Sequence, residues 1–425
     1  MMRILVTGAS GFIGSALVGA LIARGHHVIA CEHHRRNSDQ DDRLTRIPVD
    51  YMQDLDPTAW LPRLANVDAV INAVGILRET SHASFEALHH RAPAALFEAC
   101  EQAGVRRCIQ VSALGADAQA SSAYHCSKRA ADEELRTSSL AWTVIQPSLI
   151  FGQQGASTQL FTTLASLPLT PLVGRGDQQV QPIHIDDLAE LIVRLLEQGL
   201  AVSETVAAVG PRPLSLRELL QDVRKGMKLP NTLQIPIPLW LIRTTAWLGD
   251  LTGRGALSSE TLAMLLRGNT ASDADIRTLL GRSPKDPSVF IPPDEATAWR
   301  MVGVSNWLAP LMLGALAIMW LSAGIVSWLY AHIDGLSLLT DLGLPDPFVE
   351  PAFAAACLVN VVLGILCLVA PGRGLWLAQL TIVIFYTAAL SIVAPQLWAD
   401  PFGPLVKNLP IATVLLGLAV MAEAS

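Results

Sequence analysis

The chain has 425 residues, of which 51% are hydrophobic and only 16% are charged. Its mean hydropathy of +0.40 is too high for an ordinary soluble enzyme, so we expect part of the chain to lie in lipid. The net charge of −7 is the opposite of the basic surface that nucleic-acid binding requires, and no nucleic-acid partner is expected. The six cysteines form no CxxC pair and no zinc-ligand spacing, and no metal site is predicted.

The distribution of charge divides the chain into a polar part and an apolar part. Nearly all Lys, Arg, Asp and Glu residues lie before residue 300, and long apolar runs follow. We predict a nucleotide-binding domain at residues 1–150, a substrate region with a linker at 151–300, and a membrane domain at 301–425. The first residues lack the apolar core of a secretory signal, so we expect the nucleotide-binding domain to be cytoplasmic.

A glycine-rich loop near the N-terminus gives the first functional signal. Residues 3–7 are predicted as a strand, residues 8–14 read GASGFIG, and a helical pattern follows. In such a loop the glycines permit a tight turn, close approach to a pyrophosphate and close helix packing, while the first N–H groups of the helix bind phosphate. The predicted cofactor-binding residues here are Gly8, Ser10, Gly11, Phe12, Ile13 and Gly14.

The end of the second predicted strand, at residues 27–31, bears on the choice between NAD and NADP. Glu32 would accept hydrogen bonds from a free 2'-hydroxyl group of the adenosine ribose, which favours NAD. Arg35 and Arg36 would instead pair with a 2'-phosphate, which favours NADP. The sequence leaves both cofactors open, with NADP preferred, and the two arginines are equally well explained as part of a solvated loop.

Further strands are predicted at residues 46–50, 68–73, 108–112 and 143–146, with helical patterns between them. This alternation predicts an α/β fold of the Rossmann type, a doubly wound parallel sheet covered by helices on both faces. Asp50 and Tyr51, directly after the third strand, lie where an adenine edge would be read. Ala73, Val74 and Gly75 end the fourth strand and would let the cofactor pass.

Four motifs in order resemble those of the short-chain dehydrogenase/reductase superfamily, in its extended and atypical branch. Besides the glycine loop they are YHCSK at residues 124–128, which fits YxxxK, QPSLIFG at 146–152 and PIHIDDLA at 182–189. The resemblance covers roughly residues 3–270. The sequence VSALGAD at 111–117 is similar to NmrA-like proteins and to the nucleotide-binding accessory subunit of respiratory complex I, and the apolar tail resembles a DoxX-like membrane domain.

This resemblance implies roles for individual residues. Tyr124 would be the general acid or base, and Lys128, one helical turn later, would lower the pKa of Tyr124 and bind the nicotinamide ribose. Pro147, in the QPSLIFG turn, would also contact the cofactor. A serine or threonine that orients the substrate carbonyl usually lies two residues beyond Ser112, where this chain has Leu114, so Ser112 is the candidate to replace it.

Four apolar stretches, at about residues 307–330, 351–369, 375–393 and 409–421, predict a C-terminal all-α bundle of four transmembrane helices. The fourth stretch is shorter than the others. Arg300 precedes the first span and Arg373 separates the second from the third, whereas the first loop carries only acidic charges. This pattern predicts that both termini are cytoplasmic and that the protein spans an inner or plasma membrane, although Lys407 in the third loop argues the other way.

The leading interpretation is a membrane-anchored NAD(P)-dependent oxidoreductase that acts on an unidentified carbonyl, alcohol or sugar-like substrate. The alternative is a non-catalytic redox sensor or assembly factor that binds NAD(P)H, which Leu114 favours. A third interpretation makes the membrane bundle a carrier or electron-transfer module that the soluble part regulates. The sequence gives no indication of the oligomeric state.

Two further features of the sequence have open interpretations. The apolar, proline-broken stretch at residues 235–248 is either a core helix of the substrate region or a helix on the membrane surface, which would admit a lipophilic substrate. The histidine pairs at residues 26/27, 33/34 and 89/90 are expected to be surface residues rather than metal ligands, because adjacent side chains point in different directions.

Overall fold

A computed structural model describes residues 1–33, 41–252, 258–341, 343–401 and 403–422. The chain forms two compact units, residues 1–303 and residues 304–425. Arg35 and Arg36, predicted to distinguish NADP from NAD, lie outside the described residues.

The first unit is built on a seven-stranded parallel sheet, with three additional two-stranded pairings beside it. The strands in chain order are β1 (Arg3–Thr7), β2 (His27–Glu32), β3 (Leu44–Pro48), β4 (Ala69–Asn72), β5 (Arg107–Val111), β6 (Ala141–Pro147), β7 (Ile150–Phe151), β8 (Thr170–Val173), β9 (Gln179–Val180), β10 (Ile183–His184), β11 (Glu204–Ala208), β12 (Leu214–Ser215) and β13 (Gln234–Ile237).

The seven strands of the large sheet lie in the order β11-β6-β5-β4-β1-β2-β3, and all of their pairings are parallel. The chain moves outward from β1 in one direction through β2 and β3, and in the other direction through β4, β5, β6 and β11. The strand order therefore reverses beside β1. In open α/β sheets a ligand binds at the carboxyl ends of the strands at such a reversal.

Helices cover both faces of this sheet. Those of the first unit are α1 (Phe12–Ala23), α2 (Pro57–Trp60), α3 (Ala92–Ala103), α4 (Ala123–Thr137), α5 (Ala156–Ser166), α6 (Ile185–Gln198), α7 (Leu216–Gly226), α8 (Leu239–Thr252), α9 (Ser259–Arg267) and α10 (Ala274–Leu280). A π-helical turn (Glu86–Arg91) precedes α3, and short 3-10 turns lie at Leu61–Leu64 and Pro287–Val289.

Successive side chains along the buried strands point to opposite faces of the sheet and form two separate cores. In β1, Ile4 and Val6 point to the core under α1 and α6, whereas Leu5 points to the opposite core under α3. All three side chains are fully buried, as expected for a parallel sheet covered on both faces. A third core lies in the smaller region after β6, around Phe151, Leu219 and other apolar residues.

The C-terminal part is all-α within its described residues. Its helices are α11 (Ala296–Tyr330), α12 (His332–Asp341), α13 (Asp346–Val369), α14 (Arg373–Val393) and α15 (Asn408–Met421), with a 3-10 turn at Pro395–Trp398. Among the described helices, α11, α13 and α14 are long and apolar enough to cross a membrane. In the core of the bundle the indole of Trp320 donates a hydrogen bond to Oε1 of Gln379, at 2.9 Å.

The predicted fold class is confirmed in its main features, a Rossmann-like parallel sheet with helices and an apolar helical C-terminal region. Helix α12 occupies half of the segment between the first two predicted spans, residues 331–350. The fourth predicted span corresponds to α15, which has only 14 residues, so its crossing of the membrane stays a prediction.

Candidate functional site

The glycine loop after β1 is packed so closely that a side chain at Gly8 or Gly14 would require the backbone to shift. Gly8 has a positive φ of 63°, and a Cβ atom there would lie 2.9 Å from the carbonyl oxygen of Ala73. A Cβ atom on Gly14 would lie 2.1 Å from the carbonyl oxygen of Gly8. The loop therefore brings the start of α1 against the end of β4, at the reversal of the strand order.

The N-terminus of α1 is open to a ligand. Its N-cap is Gly11, which has no side chain to accept a hydrogen bond from the first turn, and the first turn contains no acidic residue. Ser10 and Gly11 are exposed, and Phe12 and Ile13 are half-buried. Uncapped N–H groups and the positive end of the helix dipole together form an anion site, which fits a pyrophosphate.

Glu32, at the end of β2, is a buried carboxylate with one hydrogen-bonded oxygen. The residue is only 2% exposed, and its Oε1 atom accepts a hydrogen bond from the guanidinium of Arg46. Its Oε2 atom is buried and has no hydrogen-bond partner among the described residues. A buried polar atom of this kind requires a partner, and a hydroxyl group of a ligand would supply one.

The predicted adenine-reading residue Asp50 is engaged in its own turn. Its Oδ1 atom accepts a hydrogen bond from the backbone N–H of Met52 at 2.9 Å, and its own N–H donates to Asp54 at 3.0 Å. The next residue, Tyr51, is buried beside Trp60, with 5.5 Å between the ring centroids. Tyr51 is thus a core residue, and only Asp50 is partly exposed for contact with a ligand.

A row of hydrogen-bonded polar side chains, missed in the sequence analysis, crosses the sheet beneath the loop. Thr7, Asn72 and Gln110 occupy paired positions in β1, β4 and β5 and are fully buried. The Thr7 hydroxyl donates to Asn72 at 2.5 Å, and the Asn72 amide donates to Gln110 at 2.6 Å. The row fixes the carboxyl ends of the three strands next to Ala73, whose N–H donates to Thr7 at 3.2 Å.

Lys128 lies at the centre of the site. Its ammonium group is buried and donates hydrogen bonds to the carbonyl oxygens of Val74, at 2.9 Å, and Val111, at 3.1 Å. A Cβ atom on the exposed Gly75 would lie 3.1 Å from Nζ of Lys128, so Gly75 leaves the approach to the amine open. Burial lowers the pKa of Lys128 to about 8.

Tyr124 lies one helical turn before Lys128 on α4 and is half-buried. Its ring makes edge contacts with Phe85 and His89, and its backbone N–H donates to the carboxylate of Glu260 at 2.7 Å. The resemblance implies a lowered pKa for Tyr124, whereas the surroundings of the phenol in the described structure raise it. Burial, together with the negative charges of Asp132 and Glu260, raises the pKa of Tyr124 to about 12.

His89 is a buried member of the site, and its placement corrects the expectation that the paired histidines are surface residues. Its Nε2 atom accepts a hydrogen bond from the N–H of Ile76 at 2.9 Å, so Nδ1 carries the proton and lies 2.9 Å from the hydroxyl of Ser127. Ser127 in turn donates to the backbone carbonyl of Tyr124 at 2.8 Å. Burial and the charge of Lys128 lower the pKa of His89 to about 2, and the imidazole is neutral. His26 is buried as well.

Residues 4–208, which carry the glycine loop and the Tyr124–Lys128 pair, match the NAD dependent epimerase/dehydratase family, and residues 317–416 match the DoxX-like family. The chain thus joins a segment similar to the epimerase/dehydratase family to a segment similar to the DoxX-like family. The DoxX-like match, together with the three long apolar helices, indicates a membrane protein.

The chain also has curated relatives. Over 256 residues, or 58% of the chain, it is 32% identical to NADH dehydrogenase [ubiquinone] 1 alpha subcomplex subunit 9, mitochondrial, of Mus musculus. The protein of the same name from Arabidopsis thaliana is 29% identical over 55% of the chain. The matched segments span 66% and 60% of the length of these two relatives.

Solved structures show the same fold at low sequence identity. A nucleoside-diphosphate-sugar epimerase from Staphylococcus aureus superposes with a TM-score of 0.56 at 17% identity, covering 68% of this chain and 99% of that one. UDP-glucuronic acid 4-epimerase from Bacillus cereus, solved with UDP-glucuronic acid and NAD, superposes with a TM-score of 0.53 at 18% identity, covering 72% and 100%.

The hydroxyl group of Ser112, the third predicted catalytic residue, is hydrogen-bonded to a buried carboxylate. Ser112 is 3% exposed, and its hydroxyl donates to the buried carboxylate of Asp132 at 2.5 Å. Leu114 packs against the core under α1. Burial raises the pKa of Asp132 to about 6. The geometry therefore argues against Ser112 as the group that orients a substrate carbonyl.

Pro147 ends β6 and is buried. Its carbonyl oxygen accepts a hydrogen bond from the N–H of Leu114 at 2.9 Å. The hydroxyl of the following residue, Ser148, donates to the carbonyl oxygen of Gln181 at 2.5 Å. The QPSLIFG turn is thus held against the loop after β5, and a direct contact between Pro147 and a cofactor stays a prediction.

Proposed function

We propose that the chain is a membrane-anchored NAD(P)-dependent oxidoreductase of the short-chain dehydrogenase/reductase type. The observation that carries this proposal is the position of Lys128 and Tyr124. The amine and the phenol belong to one face of α4, at the carboxyl edge of the sheet, beside the open N-terminus of α1. We propose a small carbonyl, alcohol or sugar-like compound as the substrate. Lipophilic compounds of these classes are included.

The residues present fit a nicotinamide dinucleotide. Gly8, Gly11 and Gly14 form a cradle that a Cβ atom would fill, and the uncapped first turn of α1 would hold the pyrophosphate. Gly75 leaves space above the Lys128 amine, which would hold the nicotinamide ribose. When bound, the nicotinamide supplies a hydride acceptor or donor.

The chain's own residues supply the proton chemistry. The Tyr124 phenol, with its pKa raised to about 12, holds its proton through the neutral range and would donate that proton to a carbonyl oxygen during reduction. Lys128 retains its charge below about pH 8 and would orient the ribose rather than transfer a proton. Phe85 and His89 flank the phenol ring and exclude water from two sides.

The ribose-binding position favours NAD over NADP, contrary to the preference drawn from Arg35 and Arg36. The Oε2 atom of Glu32, which has no partner among the described residues, would accept a hydrogen bond from a ribose hydroxyl, and the buried carboxylate would repel a 2'-phosphate. Arg46, which could otherwise attract a phosphate, already pairs with Glu32.

A second candidate function is a non-catalytic NAD(P)H-binding sensor or assembly factor. It is favoured by the hydroxyl of Ser112, which is committed to Asp132, and by the presence of Leu114 where a hydroxyl is expected. The names of the curated relatives describe subunits of NADH dehydrogenase, which supports the same candidate.

The test of binding uses a matched pair of glycine variants on α1. In the detergent-purified full-length protein, titration with NADH followed by nicotinamide fluorescence should give saturable binding that Gly14→Ala weakens by about tenfold or more, the equivalent of about 1.4 kcal/mol. Gly19→Ala should bind like the wild type, because nothing lies within 4 Å of a Cβ atom at that position. Absence of binding by the wild type would contradict both candidate functions.

The test of catalysis uses Tyr124→Phe with Tyr330→Phe as its control. Tyr330 lies in α11, far along the chain from the site, and is 83% exposed. Against a panel of aldehydes and ketones, the oxidoreductase should lose turnover by orders of magnitude in Tyr124→Phe while NADH affinity is kept. Equal turnover in wild type and Tyr124→Phe would contradict the oxidoreductase, and binding with no turnover of any panel member would favour the sensor.

A further inference from the structure

Helix α8 (Leu239–Thr252) exposes an apolar face in the first unit. Trp240, Trp247 and Leu251 are 68%, 57% and 66% exposed. Their spacing of seven and four residues places the three side chains on one face of the helix. Large apolar side chains grouped in this way mark a surface that contacts lipid or protein.

The opposite face of α8 packs against the rest of the first unit. Ile242 and Ala246, one turn apart, are buried and pack with Leu262 of α9, and Val173 and Ile237 complete this small cluster. The exposed face therefore belongs to a packed helix whose orientation is fixed by its own core. A loose segment would not present the two tryptophans in a constant direction.

We propose that α8 docks in the interfacial layer of a lipid bilayer through Trp240, Trp247 and Leu251. Tryptophan favours the interface, where the ring is buried and the indole N–H stays near the headgroups. Arg243, on the same helix, is exposed and complements lipid phosphates. The same chain carries three helices that are long and apolar enough to cross a membrane.

The size and charge of the surface favour lipid over a protein partner. A stable protein interface buries roughly 20–30 residues on each side, and one face of a 14-residue helix offers far fewer. At 14 residues the helix is also too short to span a membrane, which leaves a position parallel to its surface. Asp250, the acidic residue on α8, is turned to Arg78 and to the N–H of Ser259.

Docking would place the opening of the site at the lipid surface. Arg78, three residues after Gly75, donates to the carbonyl oxygen of Gly249 on α8 at 3.2 Å. Helix α9, which packs on α8, carries the Glu260 carboxylate that holds the backbone of Tyr124. The loop after β4 thus contacts the docking helix directly, and the start of α4 is joined to it through α9.

The experiment compares two labelled positions in the full-length protein. Thr244→Cys lies on α8 and Thr137→Cys at the end of α4, and both threonines are exposed and donate to a carbonyl three residues earlier. Both variants carry Cys126→Ser, because Cys126 is the exposed cysteine of the described chain. Each is labelled with an NBD fluorophore and placed in phosphatidylcholine–phosphatidylglycerol nanodiscs, with or without a nitroxide on the lipid acyl chain near the headgroup.

The label at position 244 should lose most of its emission to the nitroxide lipid, and the label at position 137 should keep its emission. Trp240→Ser with Trp247→Ser should return the label at 244 to the level of the control, with NADH binding unchanged as a check on folding. A blue-shifted label at 244 that the nitroxide does not quench would identify a protein occupant and overturn the proposal. Equal quenching of both labels, or of neither, would overturn it as well.

Discussion

Glu32 is a buried carboxylate whose Oε2 atom has no hydrogen-bond partner in the described part of the chain, and we expect the choice between NADH and NADPH to depend on it. Glu32→Gln removes the charge and keeps the shape. NADH affinity should fall by about tenfold, since hydrogen bonds to charged groups contribute about 1.5–3 kcal/mol, and NADPH affinity should rise because the repulsion of the 2'-phosphate is relieved. Fluorescence titration with each cofactor measures the ratio of NADH affinity to NADPH affinity.

The exposed Glu204, on edge strand β11, provides the control for net charge. Glu204→Gln removes the same charge from the same unit and should leave the ratio of NADH to NADPH affinity unchanged. If Glu32→Gln shifts both affinities by the same factor, Glu32 does not contact the ribose.

The buried amine of Lys128 makes stability depend on pH. Its pKa is about 8 in the folded protein and 10.5 as the ordinary value. Between these values the unfolded chain holds a proton that the folded chain has lost, so the free energy of unfolding rises with pH. Relative to Lys128→Met, the wild type should gain about 2 kcal/mol between about pH 8 and about pH 9.5.

Pulse proteolysis in urea checks this prediction on the full-length protein, because it follows the loss of the folded first unit separately from the membrane helices. The wild-type and variant curves share every other titrating group, and their difference isolates Lys128. If the difference in the free energy of unfolding between wild type and Lys128→Met stays constant with pH, the pKa of Lys128 in the folded protein is near its ordinary value.

Among the helices, strands and loops, the first strands and the glycine loop could be predicted from the sequence. The π-helical turn Glu86–Arg91 and the burial of His89 within it could not. β1 was predicted at residues 3–7, where it lies, and β3 was placed two residues too late. These strands are apolar runs bounded by turn residues, which is local information. β11 was missed because ETVAA at the sheet edge is short and weakly apolar.

The site residues that sequence reasoning missed are those whose roles depend on pairing between distant elements. Thr7, Asn72 and Gln110 are recognisable only when the strand register aligns them. The sequence does show a polar residue near the end of each of these three buried strands, and this pattern could have indicated that the three side chains bind one another. The hydrogen bond of Ser112 was missed for the same reason, since its partner Asp132 lies on another element.

The turn Glu86–Arg91 joins the loop after β4 to α4 through His89. His89→Ala removes both hydrogen bonds and leaves a cavity, so we expect a loss of about 2–4 kcal/mol in the free energy of unfolding. NADH affinity should fall as well, because the loop after Gly75 is no longer held at the N–H of Ile76. Pulse proteolysis and NADH titration measure the two effects.

The neighbouring His90 is the matched control. It is partly exposed and contacts Glu86 and Glu134 at the surface, where single substitutions usually change stability by about 0.5 kcal/mol or less. His90→Ala should therefore resemble the wild type in both measurements. Equal effects of the two variants would show that the hydrogen bonds of His89 do not support the site.

At the scale of the whole molecule, the path of the chain through the membrane depends on α15. Its 14 residues make a helix of about 21 Å, against about 30 Å of hydrocarbon. It nevertheless shares a core with the spanning helices, because Leu415 and Leu418 lie in one cluster with Trp376 and Val383 of α14. A helix packed in this way along a membrane span lies at the same depth.

We therefore predict that α15 crosses the membrane as a fourth span and that the C-terminus is on the cytoplasmic side with the first unit. In a bacterial host, green fluorescent protein fused after residue 422 should fluoresce, and alkaline phosphatase fused there should be inactive. Fusion after residue 398, in the turn that follows α14, should give the reverse result. Active phosphatase at both positions would mean that the chain crosses three times, and the acidic first loop and Arg373 would then determine an orientation that leaves the C-terminus outside.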